Sequence, residues 1–566
     1  MKNNEMILEN KYTLKEIYEN AIREFKDKPM MGFVGQKLIS YSEFGDSVKC
    51  VSKFLKKQGI GKGDKVSIIS ENKPNWGISF FAITTIGAVA IPILTEFRNN
   101  EIKHILKHSE AKVIFVSEKQ YAKLEDMHIE EKYTIILIDD FSVIPPQTTK
   151  ETLKKMIKNK SNKLSNLKEK AYNFVGFKTK INPEDLATII YTSGTTGHSK
   201  GVMLTHKNLV FDAYMSREIQ NININDISLS VLPLAHTYEL TLNLILIVIA
   251  GASVYYLEKP PIPRILLSAL KKVRPTIMLV VPLLIEKIFK KIQRKFHKNV
   301  LIRSLYSIRP IKKMLHKIAG KKLTKSFGGR IRFFGIGGAL LAPETERFLL
   351  DAKIPYAIGY GLSETSPVVA GAVPTKVKFR SAGFSIPNVK IRIANPNPIT
   401  NEGEIQIYGQ NVMKGYYKDP EKTKEVMTED GWFRSGDLGL IINERLYIKG
   451  RIKNMIVGAS GKNIYPEQLE SLINNYDYVN ESIIYSDNSQ IVARINFDYD
   501  QIDEMFSESS FTESQIMEQI KKLLNKIQKE VNQQVATFSS INRCIEQIEP
   551  FEKTPTKKIK RYLYTK

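Results

Sequence analysis

A loop rich in hydroxyl side chains and glycines occupies residues 191–201, which read YTSGTTGHSKG. The apolar segments LATII and VML flank it, so the loop directly follows a predicted buried strand. Glycines let backbone N–H groups approach phosphate oxygens, and Ser and Thr hydroxyls and Lys200 add further donors. The composition therefore predicts a phosphate-binding loop, and the alternative is a flexible hairpin between two strands.

The loop does not match the Walker A motif, which requires a lysine directly after its last glycine, because Gly197 is followed by His198. Further segments with chemically active side chains follow in order. They are PLAHTYEL (233–240), GIGGAL (335–340), YGLSETSP (360–367), GWFRSGD (431–437), KGRIKNMI (449–456), SGKNIYPEQLE (460–470) and TPTKKIKRYL (554–563). Taken together, the loop and these segments resemble the adenylate-forming superfamily of acyl-CoA synthetases, amino-acid adenylation domains and luciferases.

Within that superfamily, the PLAHTYE, YGLSETSPVV and GKNIYPEQLE segments are similar to those of long-chain fatty acid–CoA ligases. The resemblance covers essentially the whole chain. It implies that a fatty acid reacts with ATP to give acyl-AMP and pyrophosphate, and that the acyl group then passes to CoA. Mg²⁺ is the implied cofactor, and the fatty acid, ATP and CoA are the implied partners.

Two alternatives to this activity stay open. The first keeps the adenylation chemistry but uses a carrier protein as acceptor, or a medium-chain or aryl acid as substrate. The second is a non-catalytic basic protein that binds membrane or nucleic acid on the same fold. The presence of Lys200, Glu364, Asp437 and Lys558 argues against the second alternative.

The resemblance assigns the phosphate groups of ATP to the loop. Lys200 is expected to bind the β- and γ-phosphates. Its expected partners are Thr192, Ser193, Gly194, Thr195, Thr196 and Gly197. Glu364 is expected to hold Mg²⁺, with Thr192 as a second candidate ligand, since Mg²⁺ prefers carboxylate and phosphate oxygens.

The nucleoside is assigned to three other motifs. Tyr360 is expected to stack on adenine, Asp437 to accept both ribose hydroxyls, and Arg451 to contact the ribose or a nearby phosphate. The remaining nucleotide-site candidates are Gly337, Gly338 and Ala339 at the purine edge, and Gly361 and Ser363 beside Tyr360.

Two residues are expected to act on the reacting groups. His236 would line the acyl pocket near the α-phosphate, although a lone histidine is more often structural. Lys558 would neutralise the charge that passes from the carboxylate to the α-phosphate, although its neighbours also suit a solvated basic tail. The resemblance thus counts His236 and Lys558 as catalytic, together with Thr192 and Glu364.

A hinge is implied at residues 451–453, where Lys453 matches the family's hinge position. The C-terminal segment, residues 451–566, would pivot there between the two half-reactions. One orientation would bring Lys558 to ATP, and the other would present residues 460–463, including Lys462, to a thiol channel. The predicted domains are therefore 1–450, with the acyl and ATP sites, and 451–566.

The chain departs from the family pattern at two positions. Ser199 stands where proline is usual before the loop lysine, which predicts a more mobile loop. Lys557 stands where glycine is usual before the catalytic lysine, and its side chain is expected to exclude a strictly left-handed turn. Neither change removes a charge that the chemistry needs.

Strand-like and helix-like segments alternate over most of the chain and predict an α/β fold with mostly parallel sheets between helices. Residues 65–70, which read KVSIIS, are one such short strand. Residues 150–180 are basic and polar, and they predict a surface helix and linker. After about residue 387, short alternating strands predict a small antiparallel β-subdomain, followed by a mobile α+β C-terminal domain.

Composition narrows the class of protein. The chain has 566 residues, 42% of them hydrophobic, which allows a large core and more than one domain. Its two cysteines, Cys50 and Cys544, lie far apart, so neither a disulfide framework nor a zinc site is expected. The N-terminus shows no signal-peptide pattern, and a cytoplasmic location is expected. The oligomeric state is left open, with a homodimer as one candidate.

An apolar run at residues 240–257 reaches the lower limit of transmembrane length. Gly251 divides it into a helix-like part and a β-branched, aromatic part. It is therefore interpreted as a buried helix followed by a buried strand.

Positive charge is concentrated in residues 286–332, which contain 16 Lys or Arg and one acidic residue, whereas the whole chain carries +25. Ile288, Phe289, Ile292 and Phe296, and then Leu301, Leu305 and Ile308, recur near helical spacing. The segment is either a solvated helix face or a surface that contacts an anionic membrane or cosubstrate, peripherally on the inner face. Nucleic acid is not expected, because no recognised nucleic-acid module accompanies the charge.

Overall fold

The computed structural model describes residues 13–127, 132–146, 148–149, 151–154, 179–192, 199–297, 304–458, 462–506, 513–555 and 557–565. Within these ranges, strands and helices alternate and the strands assemble into several sheets. The predicted α/β class is confirmed. The predicted helix and linker at 150–180 lie largely outside the described residues.

Two mostly parallel sheets form the body of the first 360 residues. In spatial order, the first contains Tyr356–Ile358, Phe333–Ile336, Ile277–Val280, Ile227–Leu229, Ser253–Tyr256, Pro29–Phe33 and Ile39–Ser40. The second contains Gly415–Tyr416, Lys200–Thr205, Leu186–Thr192, Val89–Ile93, Lys65–Ile69, Ala111–Val116, Thr134–Leu137 and Ser142–Ile144. Inner strands are covered on both faces, which explains why their sequences are continuously apolar.

Helices cover these sheets, and some of them begin at side-chain caps. Thr13 caps the first helix and Glu16 bonds back to the Thr13 backbone, and Ser40 and Glu43 repeat the arrangement. Such reciprocal bonds satisfy N–H groups that the first helical turn leaves unpaired. The helices are Leu14–Glu24, Tyr41–Lys57, Pro74–Thr84, Asn99–Ser109, Glu118–Glu125, His206–Gln220, Pro263–Val273, Pro282–His297, Arg309–Ser326 and Pro343–Asp351.

The predicted β-subdomain is an antiparallel sheet, as expected. It contains Tyr360–Gly361, Val368–Gly371, Gly383–Ser385, Arg445–Arg451, Phe433–Ile442, Gly403–Tyr408 and Lys390–Ala394, and helix Pro420–Val426 accompanies it. The sheet begins earlier than predicted, because its first strands are too short to show alternation in the sequence.

The C-terminal segment has its own hydrophobic cluster, which includes Ile464, Ile484, Ile495 and Ile527. Its larger sheet contains Val479–Asp487, Gln490–Phe497 and Arg543–Glu546, and its helices are Pro466–Ile473, Tyr499–Phe506 and Glu513–Asn532. A short hairpin of Ile456–Val457 and Asn463–Ile464 precedes them. The α+β composition agrees with the prediction, whereas the boundary at 450 and the pivot stay predictions.

The apolar run at 240–257 is buried. A π-helix (Leu240–Ile245) and an α-helix (Leu246–Ala250) end at Gly251, whose φ of 66° is left-handed, and strand Ser253–Tyr256 follows. The interpretation as a helix followed by a strand is confirmed. Among the described residues, no helix is long and apolar enough to cross a membrane.

The basic segment 286–332 divides between two helices. We call Pro282–His297 the contact helix and Arg309–Ser326 the lysine helix. The predicted apolar positions of the contact helix pack against a hydrophobic cluster of the first sheet. Leu305 and Ile308, just before the lysine helix, are instead 43% and 47% exposed, and Leu301 lies outside the described residues.

Candidate active site

The predicted phosphate loop joins two antiparallel strands. Thr192 ends one strand, Lys200 begins the next, and the two residues are paired across the hairpin. Both side chains are half-buried. The loop candidates Ser193, Gly194, Thr195, Thr196 and Gly197 lie outside the described residues, as does most of the loop whose mobility Ser199 predicts.

Lys200 faces a tyrosine that no sequence motif indicated. Its ammonium lies 5.1 Å from the centre of the Tyr416 ring, and the Tyr416 hydroxyl donates a hydrogen bond of 2.9 Å to Glu364 Oε1. Burial lowers the pKa of Lys200, and the nearby Lys422 and Lys453 add to this effect. Tyr416 therefore joins the lysine of the loop to the candidate metal ligand. It reaches this place because its short strand pairs with the strand of Lys200.

Three of the predicted nucleoside residues form one network. The Tyr360 hydroxyl donates to Asp437 Oδ2 at 2.7 Å, and Arg451 Nε lies 2.7 Å from Asp437 Oδ1. Asp437 and Arg451 lie opposite each other on neighbouring strands. Burial raises the pKa of Asp437, while the Arg451 charge and the Tyr360 hydrogen bond oppose that shift. The network fixes a buried carboxylate that interacts electrostatically with Glu364 and Lys558, and we call the space between these side chains and Lys200 the cleft.

Steric crowding or backbone conformation explains why glycine occupies several positions of the nucleotide motifs. A Cβ atom on Gly361 would lie 1.7 Å from the carbonyl oxygen of Pro367, and one on Gly337 would lie 3.2 Å from the Tyr238 ring. Gly338 has a φ of 89°, which favours glycine. Ser363 accepts a hydrogen bond of 3.4 Å from the Thr237 hydroxyl, which ties its motif to that of His236. Ala339 follows Gly338 in the same turn.

Lys558 comes from the other end of the chain to the same cleft. It interacts electrostatically with Arg451, Asp437 and Glu364. Desolvation of its ammonium lowers its pKa, and the Arg451 charge lowers it further. The structure thus brings Lys200, Glu364, Asp437, Arg451 and Lys558 together, although they are up to 358 residues apart in the sequence.

The turn before Lys558 corrects one prediction. Lys557 adopts a φ of 63°, so its side chain does not exclude a left-handed turn. The turn closes through a hydrogen bond of 2.7 Å from Thr554 N to the Lys558 carbonyl, and Lys557 itself is exposed. These bonds and the free space around an exposed side chain offset the cost of about 1 kcal/mol that a non-glycine residue has there.

The model of the AMP-binding enzyme family matches residues 18–417, well over half of the chain. The chain belongs to this family. "Long chain acyl-CoA synthetase 6, peroxisomal" from Arabidopsis thaliana is 30% identical, and the match covers 86% of this chain and 74% of that protein. Long-chain-fatty-acid–CoA ligase 5 from Rattus norvegicus is also 30% identical, with 83% and 73% covered.

A solved structure of an acyl-CoA synthetase shares the fold of this AMP-binding enzyme. O-succinylbenzoate coenzyme A synthetase from Bacillus subtilis, in complex with ATP and magnesium ion, has a TM-score of 0.71. The match covers 96% of this chain and 98% of that one at 20% identity. The resemblance read from the sequence motifs is therefore confirmed at the level of family and fold.

His236 of this AMP-binding enzyme lies beside the cleft in its neutral form. Its Nδ1 accepts a hydrogen bond of 3.2 Å from the Tyr238 backbone N–H. Burial and the charge of Lys558 lower the pKa of His236 to about 4. A neutral imidazole can orient a carboxylic acid substrate by hydrogen bonding, but it adds no charge of its own.

The hinge lysine, Lys453, and the lysine predicted for the thiol channel, Lys462, lie in different surroundings. Lys453 is close enough to Lys200 for the two charges to repel each other. The Lys462 ammonium instead lies 4.9 Å from the centre of the Phe538 ring, within the C-terminal segment. Among the described residues, nothing joins Lys462 to the cleft, and its predicted role in the thiol channel stays a prediction.

The cleft combines three cations and two carboxylates. Lys200, Arg451 and Lys558 can bind phosphate oxygens and stabilise negative charge that develops during acyl transfer. Among the described residues, no cluster of three or more His, Cys, Asp or Glu side chains could enclose a metal ion. A single carboxylate such as Glu364 suits Mg²⁺, since this ion takes its other ligands from phosphates and water.

Proposed function

We propose that this AMP-binding enzyme activates a long-chain fatty acid with ATP and transfers the acyl group to coenzyme A. The observation that carries the proposal is the convergence of Lys200, Glu364, Asp437, Arg451 and Lys558 on one cleft. Curated relatives matched over most of their length are named long-chain acyl-CoA synthetases and ligases. The products are acyl-CoA, AMP and pyrophosphate.

The reaction has two steps, an adenylyl transfer and an acyl transfer. In the first, a carboxylate oxygen of the fatty acid bonds to the α-phosphorus of ATP, and the bond to pyrophosphate breaks. In the second, the CoA thiolate bonds to the acyl carbon, and AMP leaves. Both steps need stabilisation of moving negative charge rather than a protein nucleophile.

Each cation of the cleft receives a role in this proposal. Lys200, with Thr192 and the loop from Ser193 to Gly197, holds the pyrophosphate part of ATP. Lys558 neutralises the carboxylate and the α-phosphate in the first step and is a catalytic residue. His236 orients the acid, and Arg451 contacts the ribose or a phosphate.

The nucleoside is held by the network around Asp437. Its carboxylate has lone pairs left for the ribose hydroxyls, because Tyr360 and Arg451 use only part of its hydrogen-bonding capacity. The Tyr360 ring supplies a stacking face for adenine. Gly337, Gly338, Ala339, Gly361 and Ser363 complete the pocket.

Glu364 is the proposed Mg²⁺ ligand, with Thr192 as a second one. The residues fit such an ion, because Glu364 is half-buried beside Lys200 and, within the described part of the chain, its carboxylate accepts one hydrogen bond, from Tyr416. Bound Mg²⁺ would neutralise phosphate charge. The related Bacillus subtilis synthetase was solved with ATP and magnesium ion.

The proposal includes a division of the chain into two domains, 1–450 and 451–566. The second domain would pivot at residues 451–453. The separate hydrophobic cluster of the C-terminal segment supports this division. A pivot would let one chain present Lys558 in the first step and residues 460–463, with Lys462, in the second.

Peripheral contact with an anionic membrane, on its cytoplasmic inner face, is the proposed role of the lysine helix. Met314 and Ile318 are 53% and 47% exposed on one face of it. Lysines flank them, and the helix contains no acidic residue. Its exposed lysines are Lys313, Lys317, Lys321, Lys322 and Lys325. Apolar side chains framed by lysines favour a lipid surface, from which a long-chain acid could be drawn.

Vesicle flotation tests this contact. Replacing Lys317, Lys321 and Lys325 by Gln should weaken binding to anionic vesicles at least tenfold, and binding should fall as salt rises. The matched control replaces Lys287 and Lys291, exposed lysines of the contact helix, and should bind nearly as before. Binding that resists salt, or binding to RNA but not to vesicles, would contradict the proposal.

A panel of acids tests the activity itself. The enzyme is incubated with ATP, Mg²⁺, CoA and acids from six to twenty carbons, and release of AMP and formation of thioester are measured. Palmitate should give both products. No AMP release with any acid would refute the proposal. If the acyl-AMP does not react with CoA but transfers its acyl group to a carrier protein, the carrier-protein alternative would be favoured instead.

A further inference from the structure

Two cations of the contact helix reach across to the C-terminal segment. The Lys290 ammonium donates hydrogen bonds of 3.1 Å to the backbone carbonyls of both Tyr476 and Val479. Arg294, one helical turn later, donates to the Asp477 carbonyl at 3.0 Å, and its Nε lies 3.4 Å from Asp477 Oδ1. Residues four apart share one helix face, so both side chains hold the same turn.

The turn that they hold packs in the hydrophobic cluster of the C-terminal segment. It connects helix Pro466–Ile473 to strand Val479–Asp487, whose residues pack in the separate hydrophobic cluster. Because most of its acceptors are backbone carbonyls, the contact depends on where the turn lies. It would be broken by any rotation of the segment away from the contact helix.

The charges around Lys290 suit a contact that can open and close. Burial lowers the pKa of Lys290 to about 8, whereas the carboxylates of Asp477 and Glu286 oppose that shift. An ammonium removed from water loses hydration energy, which the two carbonyls and the carboxylates return only in part. If the segment turned away, Lys290 would regain water, so opening would not leave a buried unpaired charge.

A second contact between the two parts of the chain is weaker. Arg98 lies 3.1 Å from Glu552, close in sequence to Lys558, but both side chains are largely exposed. Exposed ion pairs contribute little to stability. The Lys290 and Arg294 contact is therefore the stronger constraint of the two on the orientation of the segment.

We propose that Lys290 and Arg294 are positioning residues for the adenylation step, which hold the 476–479 turn so that Lys558 faces the ATP cleft. This inference rests on the proposed function for its kinetic consequence. It adds that the contact helix biases the enzyme toward the first half-reaction. Once acyl-AMP has formed, the same bonds must break before thiol transfer.

Half-reaction kinetics of Lys290→Met test the proposal. Pyrophosphate exchange with ATP and palmitate should fall about tenfold, as expected for the loss of a charged hydrogen bond. Thioester formation from supplied acyl-AMP and CoA should be unchanged or faster. Lys291→Met is the matched control, since Lys291 is the exposed neighbour on the same helix, and Lys290→Arg should restore part of the exchange rate.

Hydrogen exchange provides a readout that needs no catalysis. Peptides covering residues 474–482 should lose protection in Lys290→Met but keep it in Lys291→Met. If Lys290→Met does not fold, half-reaction kinetics and hydrogen exchange are measured on Arg294→Gln, which alters the contact helix, and on Asp477→Asn, which alters the turn. Unchanged protection, or an equal fall in both half-reactions of a folded variant, would overturn the positioning role. An inactive wild type with the expected exchange pattern would refute only the proposed function.

Discussion

Asp437 and Lys558 bring opposite charges to the same cleft, but they are held there in different ways. Asp437 lies buried on a strand, and Tyr360 and Arg451 fix its carboxylate with bonds of 2.7 Å. Lys558 lies on an exposed turn, and its position depends on how the whole C-terminal segment is oriented. The first side of the cleft is therefore preorganised, whereas the proposed pivot would let the second be withdrawn.

This difference suits a two-step reaction. In the proposed mechanism, the nucleotide site serves both steps, whereas Lys558 serves only the first. The consequence can be measured, because variants on the two sides of the cleft should affect the half-reactions differently.

The largest effect is expected for Lys558→Met. Pyrophosphate exchange should fall about 100-fold or more, since the charge that stabilises the transition state is lost. Thiol capture of supplied acyl-AMP should stay within about twofold of wild type, because Lys558 is proposed to act only in the first step. Lys557→Met, on the same turn, is the control and should resemble wild type. Equal losses in both half-reactions would remove the distinction between the two sides.

Lys200→Ala should have the next largest effect. ATP use in adenylation should weaken about thirtyfold, since a charge-assisted bond to phosphate is lost. Thiol capture does not require pyrophosphate and should change less. Pyrophosphate exchange at varied ATP measures the first effect, and Lys207→Ala, beyond the same strand, serves as control. A stronger effect on thiol capture would contradict the assignment of Lys200 to pyrophosphate.

Tyr416→Phe should have a smaller effect that is confined to the preorganised side. The variant keeps the ring beside Lys200 but removes the hydroxyl that donates to Glu364. The Mg²⁺ concentration for half-maximal exchange should change about threefold to tenfold, as for the loss of one hydrogen bond to a charged group. Tyr417→Phe is the matched control, because its hydroxyl bonds instead to Glu110. Identical Mg²⁺ titrations of the two variants would show that Tyr416 does not influence Glu364.

The smallest effect is expected for His236→Asn on the pH dependence of the pyrophosphate exchange rate. Burial and the charge of Lys558 lower the pKa of His236 to about 4, so its side chain is mostly neutral above about pH 5. Between pH 5 and 8 its protonation does not change, and His236→Asn should alter the rate of exchange without moving the acid-side inflection. An inflection near 6.5 in wild type that disappears in the variant would show that the histidine titrates in the working range.

Much of the cleft could be predicted from the sequence. Each motif carries a local reason for its residues, such as the hydroxyls and glycines around Lys200, and the chain order of the motifs indicated the family. Tyr416 could not be predicted in this way. Its role depends on the pairing of Gly415–Tyr416 with a strand more than 200 residues earlier, and a two-residue strand leaves no periodic pattern.

Backbone conformation was predicted less well where a hydrogen bond stabilises a φ value that the residue type disfavours. Lysine at 557 indicated a turn without left-handed geometry, yet the residue adopts a φ of 63°. The hydrogen bond between Thr554 and Lys558 stabilises the turn, and a single-residue preference does not include that energy.

The basic segment 286–332 shows which properties cannot be predicted from the sequence alone. By itself, the sequence determined the family, the alternation of strands and helices, the identity of the charged cleft residues and the helical spacing in 286–332, because these depend on neighbours along the chain. Only the tertiary structure decided that Lys290 and Arg294 bind the C-terminal turn while the lysine helix faces solvent. The two helices have similar local patterns, and their different surroundings are set by residues far away in the chain.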